Sequence, residues 1–145
     1  MIRSFSGTNR FLSNFYLSKV MLDGEEYPTV EHAYQAAKVD FGAMREFYYP
    51  ESGIGMRRWR DDIRKAPNAS RARHLGKMPT LPLRDGWDKM RLDVMRGLLL
   101  QKFRPDGMLA GHLLRTEQEE LVEGNWWHDT YFGVCTCTAC PPGKN

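Results

Sequence analysis

Apolar residues recur at helical spacing in one segment of the chain and predict a helix from residue 87 to residue 103. Its apolar positions follow the helical repeat, in which residues three, four and seven apart share one face: Trp87, Met90, Val94, Met95, Leu98, Leu99 and Phe103. Pro105 follows this pattern and ends the helix, because proline cannot donate the next backbone hydrogen bond.

Shorter patterns predict the other elements. "FYLSKVML" and "EEY" flank Asp23-Gly24, which suits a two-residue turn with positive φ, so residues 15–27 are predicted to form a hairpin. Further elements are a helix over 30–41 capped by Thr29, one or two short helices within 42–65, helices over 69–76 and 107–115, and short strands at "ELVEG" and "TYFGVC". The sum is a single α+β domain over residues 1–145, mostly helical with a small sheet.

The helix that follows Pro28, "PTVEHAYQAAK", has an unusual polar face. Positions i, i+3, i+4 and i+7 of a helix share one side, and here they are Glu31, Tyr34, Gln35 and Lys38. Small alanines on the opposite side permit close packing. Taken alone, this polar face is better explained as a solvated surface. The alternative is that it borders a cavity into which a carboxylate and an amine project.

Two aromatic segments favour the cavity. "NRFLSNFY" places Ser13 and Asn14 among aromatic residues such as Phe15, and could stack a planar base while binding a sugar or phosphate. "EGNWWHDTYFG" carries Trp126, Tyr131 and a second carboxylate, Asp129, in one predicted loop. Packing into a core alone does not explain so many aromatic residues beside a carboxylate, so the loop is predicted to border a binding pocket. A turn followed by a core strand is an equally good explanation of the first segment.

Composition sets wider limits. The chain has 145 residues, of which 41% are hydrophobic, and a net charge of +3, so neither disorder nor wholesale electrostatic binding of nucleic acid is expected. No apolar run is long enough to span a bilayer, and the N-terminus lacks an apolar signal-peptide core. We therefore expect a cytoplasmic protein without membrane partners.

Positive charge is concentrated between residues 57 and 73. Seven basic residues stand there against two acidic ones, Asp61 and Asp62. One interpretation is a solvated helix face, which the two aspartates favour for part of the segment. The other is phosphate binding by arginines, which grip an oxyanion with two parallel hydrogen bonds.

The three cysteines form the pattern C-x-C-x2-C at Cys135, Cys137 and Cys140, with His128 seven residues before the first. Three cysteines cannot form a closed disulfide framework, so a reducing compartment fits better. A Cys3His zinc site has the right ligands, but the first spacing is tighter than usual and no second pair exists. The spacing favours free thiols, and we expect no metal and no cofactor.

Six short motifs occur in an order that resembles NADAR-domain proteins, a family of YbiA-like N-glycosidases. They are "FLSNFY", "PTVEHAYQAAK", "RARHLGK", "GWDKMR", "LLLQKF" and "LVEGNWWHDTYFG". The resemblance extends from Phe5 to Asn145 and implies a YbiA-like fold. Family members usually continue past "GKN" with a leucine-rich segment, so the resemblance implies either a form without that segment or a shortened chain.

The resemblance also implies residue roles. The family's catalytic glutamate corresponds to Glu31, the lysine that ends the same motif to Lys38, the tryptophan opening the long helix to Trp87, and the aspartate after the aromatic loop to Asp129. Asn14 is expected to contact sugar or phosphate. The remaining predicted substrate contacts are Ser13, Phe15, Tyr34, Gln35, Arg73, Trp126 and Tyr131.

The implied activity is hydrolysis of N-glycosidic bonds of ribose. Some members of the family hydrolyse phosphorylated ribosylamino-pyrimidine intermediates of riboflavin synthesis, and others remove ADP-ribose from guanine in nucleic acid. The basic segment and the surplus of aromatic residues favour ADP-ribosylated guanine, with nucleic acid as the carrier of the substrate. The alternatives are the riboflavin intermediates, a non-hydrolytic sensor of NAD-derived ligands, and a small zinc-stabilised nucleic-acid module resting on "CTCTAC" alone.

One conflict concerns the charge of Lys38. In ADP-ribose-removing members the resemblance implies that this lysine traps the opened ribose as a Schiff base, for which it must be the neutral amine. Desolvation or nearby cations would lower its pKa, but Glu31 on the same helix face would raise it. The sequence leaves open which influence is larger.

Overall fold

The computed structural model describes residues 1–39, 59–81 and 83–140. Helices and short strands are both present in this part of the chain, and the predicted α+β class with mostly helical content is confirmed. The chain divides into two compact units: one joins Met1–Ser13 to the residues from Met108 onward, and the larger one is Asn14–Gly107. The single domain over residues 1–145 stays a prediction.

The larger unit begins with the predicted hairpin. Strands β1 (Val20–Leu22) and β2 (Glu25–Tyr27) pair antiparallel, so that Val20 lies opposite Tyr27. Asp23 and Gly24 between them have φ values of 50° and 81°, as a turn that matches the twist of the strands requires. The hairpin is confirmed, although its paired strands are shorter than the predicted segment.

The described residues of the larger unit then form four helices: α1 (Val30–Ala37), α2 (Trp59–Arg64), α3 (Ala69–Leu75) and α4 (Trp87–Lys102). The helices predicted over 30–41, 69–76 and 87–103 are confirmed, although α1 ends at Ala37 and Lys38 caps it. The helix pattern predicted within 42–65 is confirmed by α2, and residues 42–58 of that prediction lie outside the described residues.

Helix α1 is the centre of the larger unit. All eight of its residues are buried, and it packs against α2, α3, α4 and β1. The Thr29 hydroxyl accepts from the backbone N–H of His32 and so caps the helix. The His32 ring lies 2.7 Å from the same hydroxyl and 3.2 Å from the Ala66 carbonyl. Since a carbonyl can only accept, Nε2 carries the proton, and His32 is a buried structural histidine.

The segment that leaves α1 is bonded to the segment that enters α4. The Lys38 carbonyl accepts a hydrogen bond of 2.8 Å from the backbone N–H of Arg84. The next residue, Val39, forms an antiparallel bridge with Leu83. These contacts fix the backbone of Lys38 relative to the start of α4 at Trp87.

The smaller unit contains a 3₁₀ helix (Gly7–Leu12), helix α5 (Met108–Leu114) and two strands, β3 (Gly124–Asn125) and β4 (Val134–Cys135). The strands pair in parallel, which places Asn125 opposite Cys135. The predicted helix over 107–115 is confirmed, and the predicted strands at "ELVEG" and "TYFGVC" are each confirmed over two residues. Among the described residues of both units, no helix has the length and hydrophobicity that crossing a membrane would need.

Candidate active site

Glu31 is a buried carboxylate in the first turn of α1. Its side chain is 7% exposed, and its Oε1 atom accepts a hydrogen bond of 2.7 Å from Nε2 of Gln35. The Glu31 backbone N–H donates to the Asn14 carbonyl, so the segment around Asn14 is held against the start of the helix. Burial raises the pKa of the Glu31 carboxyl above its ordinary value, although the Gln35 hydrogen bond and nearby cations oppose the shift.

Gln35 lies against a glycine that leaves room for it. A Cβ atom placed on Gly76 would lie 2.8 Å from the Cβ and Cδ atoms of Gln35 and would overlap its Oε1. Gly76 ends α3 with φ of −70°, which any residue adopts. The helix was predicted to extend to residue 76, and the structure adds that a glycine there permits the close approach of α3 to Gln35 and is not required by a left-handed backbone.

Lys38 lies two turns after Glu31 and points back along the same helix face. Its Nζ atom donates to the Gly76 carbonyl at 3.2 Å and lies 5.6 Å from the centroid of the Tyr34 ring. Burial lowers the pKa of Lys38 to about 8, even though Glu31 acts in the opposite direction. Desolvation is therefore the larger influence in the conflict that the sequence left open.

Three basic side chains add to this shift. Positive charge on Lys77, Arg73 and Arg91 lowers the pKa of Lys38 further, and Lys77 and Arg73 also act on Glu31. Lys77 and Arg91 were not predicted as site residues. The sequence contained a signal for each: Lys77 directly follows Gly76, and Arg91 lies one helical turn after Trp87, on the same face of α4.

Trp87 is buried at the start of α4 and packs on Tyr34. The two ring centroids are 5.2 Å apart, and the planes are tilted by 57°. Asn14 lies in the same unit, with its side-chain nitrogen 3.7 Å from the Met95 sulfur of α4. Of the predicted site residues in the larger unit, Glu31, Tyr34, Gln35, Lys38 and Trp87 are thus linked by direct contacts or by a shared helix face. Phe15 in the same unit is half-buried.

The basic segment is largely paired within the protein. Arg60 is buried, donates to the Ala36 carbonyl and forms an ion pair of 2.6 Å with Asp23. Arg64 and Lys65 both pair with Asp61. Asp61 thus pairs with two basic residues of the segment, whereas Arg60 is buried and not part of a solvated face. Residues 57 and 58 lie outside the described residues.

The predicted aromatic loop lies in the smaller unit and is ordered by Asn125. This asparagine is 2% exposed, and its side chain donates to the Asp129 carbonyl and accepts from the Asp129 backbone N–H. One carboxylate oxygen of Asp129 in turn accepts from the backbone N–H groups of Tyr131 and Phe132. Asn125 was not among the predicted site residues, and the structure gives it a positioning role, since its side chain bonds both backbone groups of Asp129.

The aromatic residues of that loop include exposed ones. Trp126 is 74% exposed and Tyr131 is 44% exposed. Ser13, also in the smaller unit, caps the 3₁₀ helix by donating its backbone N–H to the Arg10 carbonyl. The pairing of Asp129 with Glu31 in acid–base chemistry, and substrate contacts from Ser13, Trp126 and Tyr131, stay predictions.

Comparisons with known proteins bear on the family and the fold of this chain. The family model for the NADAR domain matches residues 4–145. N-glycosidase YbiA of Escherichia coli strain K12 is 32% identical over 121 residues, which are 83% of this chain and 66% of that protein. N-glycosidase Npun_R5314 of Nostoc punctiforme is 32% identical over 133 residues, which are 92% of this chain and 75% of that protein.

Two further matches extend the comparison. The riboflavin biosynthesis protein VVA0006 of Vibrio vulnificus is 31% identical over 113 residues, which are 78% of this chain and 27% of that protein. The NMR structure of E. coli YbiA has a TM-score of 0.68 and 30% identity, covering 94% of this chain and 73% of that one. The predicted YbiA-like fold is thereby confirmed.

Proposed function

Because this chain belongs to the NADAR domain family, we propose that it hydrolyses the N-glycosidic bond between a phosphorylated ribose and a nitrogenous base. The observation that carries this proposal is the buried pair on one face of α1, Glu31 and Lys38, whose pKa values shift in opposite directions. A carboxyl whose pKa is raised and an amine whose pKa is lowered suit the roles of proton donor and nucleophile. Relatives named N-glycosidases support the reaction type.

Glu31 is the proton donor to the leaving base. Cleavage of the C1′–N bond leaves the bonding electron pair on the base nitrogen and positive charge at C1′. Burial keeps the Glu31 carboxyl protonated to a higher pH than an exposed glutamate. Its proton is transferred to the base nitrogen as the bond breaks, and the resulting carboxylate stabilises positive charge at C1′.

Lys38 is the nucleophile. Its neutral Nζ attacks C1′ as the base leaves, and the nitrogen then loses a proton to the Glu31 carboxylate. The Glu31 carboxyl passes this proton to O4′ as the C1′–O4′ bond breaks, and the opened ribose is joined to Nζ as an iminium at C1′. Water adds to C1′ and its released proton goes to the Glu31 carboxylate, the C1′–Nζ bond breaks, and the free sugar, the neutral amine and the protonated carboxyl are restored, so one water is consumed for each bond cleaved.

The phosphate is held by the basic residues near this pair. Arg73, Lys77 and Arg91 act electrostatically on Glu31 or Lys38, so their positive charges lie close enough to attract a substrate phosphate. Arginine adds directional hydrogen bonds to that attraction. This arrangement suits ADP-ribose and ribose phosphate alike, since both carry the anion on the sugar's 5′ side.

ADP-ribosylated guanine in nucleic acid is the proposed substrate. The exposed aromatic loop with Trp126 and Tyr131 offers stacking surfaces for unpaired bases. The basic segment supports this choice less than its composition suggests, because Arg60, Arg64 and Lys65 are paired internally. The second candidate is a phosphorylated ribosylamino-pyrimidine, which is favoured by the relative named a riboflavin biosynthesis protein.

A parallel assay distinguishes these candidates. The protein is incubated with single-stranded DNA bearing ADP-ribosylated guanine and, separately, with ribosylamino-pyrimidine phosphate, and released ADP-ribose or ribose phosphate is quantified by mass spectrometry. We expect release of ADP-ribose with unmodified DNA recovered. Release of ribose phosphate alone would establish the second substrate, whereas tight binding of ADP-ribose without turnover of either substrate would identify a sensor and contradict the proposed reaction.

Reductive trapping tests the role of Lys38. With a pKa of about 8, roughly a tenth of the amine is neutral at pH 7 and most of it at pH 9. In the presence of cyanoborohydride we expect a covalent sugar adduct on Lys38 whose formation rate rises with pH around a midpoint near 8. Peptide mass spectrometry locates the adduct.

Two conservative variants control that experiment. Lys38→Arg retains a positive charge that does not titrate, so the adduct should disappear at every pH. Lys89→Arg alters an exposed lysine of α4 and should leave the adduct and its pH profile unchanged. Full turnover by Lys38→Arg with no adduct in the wild type would assign Lys38 an electrostatic role instead.

A further inference from the structure

Four potential metal ligands lie together in the smaller unit, and none of them takes part in the proposed reaction. They are His128, Cys135, Cys137 and Cys140, and one ligand atom from each lies within 4.8 Å of all the others. The Nδ1 atom of His128 is 3.3 Å from the sulfur of Cys137 and 3.3 Å from that of Cys140. Three sulfurs and one imidazole nitrogen therefore lie close enough together to bind the same ion.

The local fold brings these ligands together from two segments. Parallel pairing of β3 with β4 places Cys135 beside Asn125, and Thr136 extends the contact by donating its backbone N–H to the Asn125 carbonyl at 2.7 Å. The Asn125 side chain closes the turn that contains His128. The backbone φ of His128 is 67°, a left-handed conformation that is uncommon for residues other than glycine.

The dimensions of the cluster fit a tetrahedral zinc ion. With Zn–S bonds of about 2.3 Å and a Zn–N bond of about 2.0 Å, neighbouring ligand atoms of a regular tetrahedron are roughly 3.5–3.8 Å apart. The two N···S distances of 3.3 Å are close to that range, and all other pairs lie within 4.8 Å. The ligand set of three thiolates and one imidazole is one that structural zinc sites use.

We propose that His128, Cys135, Cys137 and Cys140 form a structural zinc site. Four protein ligands complete the coordination of zinc and leave no open position for substrate or water, so the site is structural rather than catalytic. The tight C-x-C spacing made free thiols the first choice from sequence. The pairing of β3 with β4 and the turn closed by Asn125 bring the histidine and the cysteines together, which the spacing alone did not indicate.

The zinc would stabilise the segment that carries Asp129. His128 immediately precedes Asp129, and Cys135 belongs to the strand that follows the aromatic residues. One ion would therefore link both ends of residues 128–135 and restrict their motion. This inference does not rest on the proposed glycosidase reaction, and its test is independent of activity.

Metal content and cobalt substitution test the site in the full chain. The protein is purified under reducing conditions, and its zinc is measured by inductively coupled plasma mass spectrometry. We expect close to one zinc per chain, which a chelator removes and added zinc restores. Cobalt added to the apoprotein should give the intense d–d and thiolate charge-transfer absorption of a tetrahedral Cys3His site.

Variants of the ligands and of a neighbouring residue complete the test. Cys137→Ser and His128→Asn should lower zinc stoichiometry at least several-fold, whereas Thr138→Ser, in the same loop, should retain it. If the ligand variants fail to fold, thiol titration of the wild-type protein still tests whether the cysteines bind zinc. Zinc should protect three thiols from reaction with a disulfide reagent, and chelation should expose all three.

Several outcomes would overturn the proposal. Reduced protein with three reactive thiols, negligible zinc and no cobalt absorption would show that the cluster is not a metal site. Iron with acid-labile sulfide would show a cluster of another kind. Unchanged zinc content in both ligand variants would place the metal elsewhere in the chain.

Discussion

Replacing Glu31 with glutamine is expected to lower kcat/KM for base release by roughly 10²–10⁴-fold, the usual contribution of a positioned general acid. Glutamine has the same shape, and its amide oxygen can still accept the hydrogen bond that Glu31 accepts from Gln35. The variant lacks the proton that assists the leaving base and the carboxylate that stabilises positive charge at C1′. It should therefore fold and bind substrate while losing chemistry, which single-turnover kinetics measures directly.

A second carboxylate provides the matched control. Glu26 lies on the hairpin of the same unit, where it is exposed and pairs with Lys19. Glu26→Gln should change kcat/KM less than twofold, because a surface ion pair contributes little and takes no part in the reaction. Activity of Glu31→Gln within a fewfold of the wild type would show that another group protonates the base.

Gly76→Ala is expected to lower the free energy of unfolding by about 1–3 kcal/mol, the typical cost of forcing an extra methyl group into a packed interior. The new methyl would lie 2.8 Å from the Cβ of Gln35, an atom too close to the backbone of α1 to move easily. Displacement of Gln35 would also disturb its hydrogen bond to Glu31. We expect lower activity together with lower stability, measured by assay and by urea unfolding.

Gly97→Ala is the matched control for this substitution. Gly97 is an exposed residue within α4, and a Cβ there meets no atom within 4 Å. Alanine in a helix interior is favoured over glycine by about 0.5–1 kcal/mol, so this variant should become slightly more stable. Equal stability changes for the two variants would show that the Gln35 contact does not restrict residue 76.

The shared face of Glu31 and Lys38 could be predicted from sequence because helical spacing is a local property. Thr29 as the cap, Asp23-Gly24 as the turn and the apolar positions of α4 were accessible for the same reason. Each depends on residues within one or two turns of one another. Such local patterns do not depend on how distant parts of the chain pack, so they can be read from the sequence alone.

The charge states of the site could not be predicted in the same way. Whether desolvation or Glu31 dominates at Lys38 depends on how completely α3 and α4 cover the end of α1, and that packing is set by residues far apart in sequence. The basic segment likewise looked more available than it is, since the partner of Arg60 is Asp23 in the hairpin. The cysteine cluster depends on the pairing of β3 with β4, which spacing does not encode.

The backbone bonds between the end of α1 and the entry of α4 have a consequence for how the family can diversify. The backbone of Lys38 bonds to Arg84, and Val39 forms a bridge with Leu83. These contacts fix the backbone of Lys38 relative to the segment that leads into Trp87. Residues 78–81 lie upstream of these contacts, between them and α3. Insertions and substitutions there would leave the backbone bonds of Lys38 and Val39 in place, so this loop can vary in length and sequence without moving the lysine.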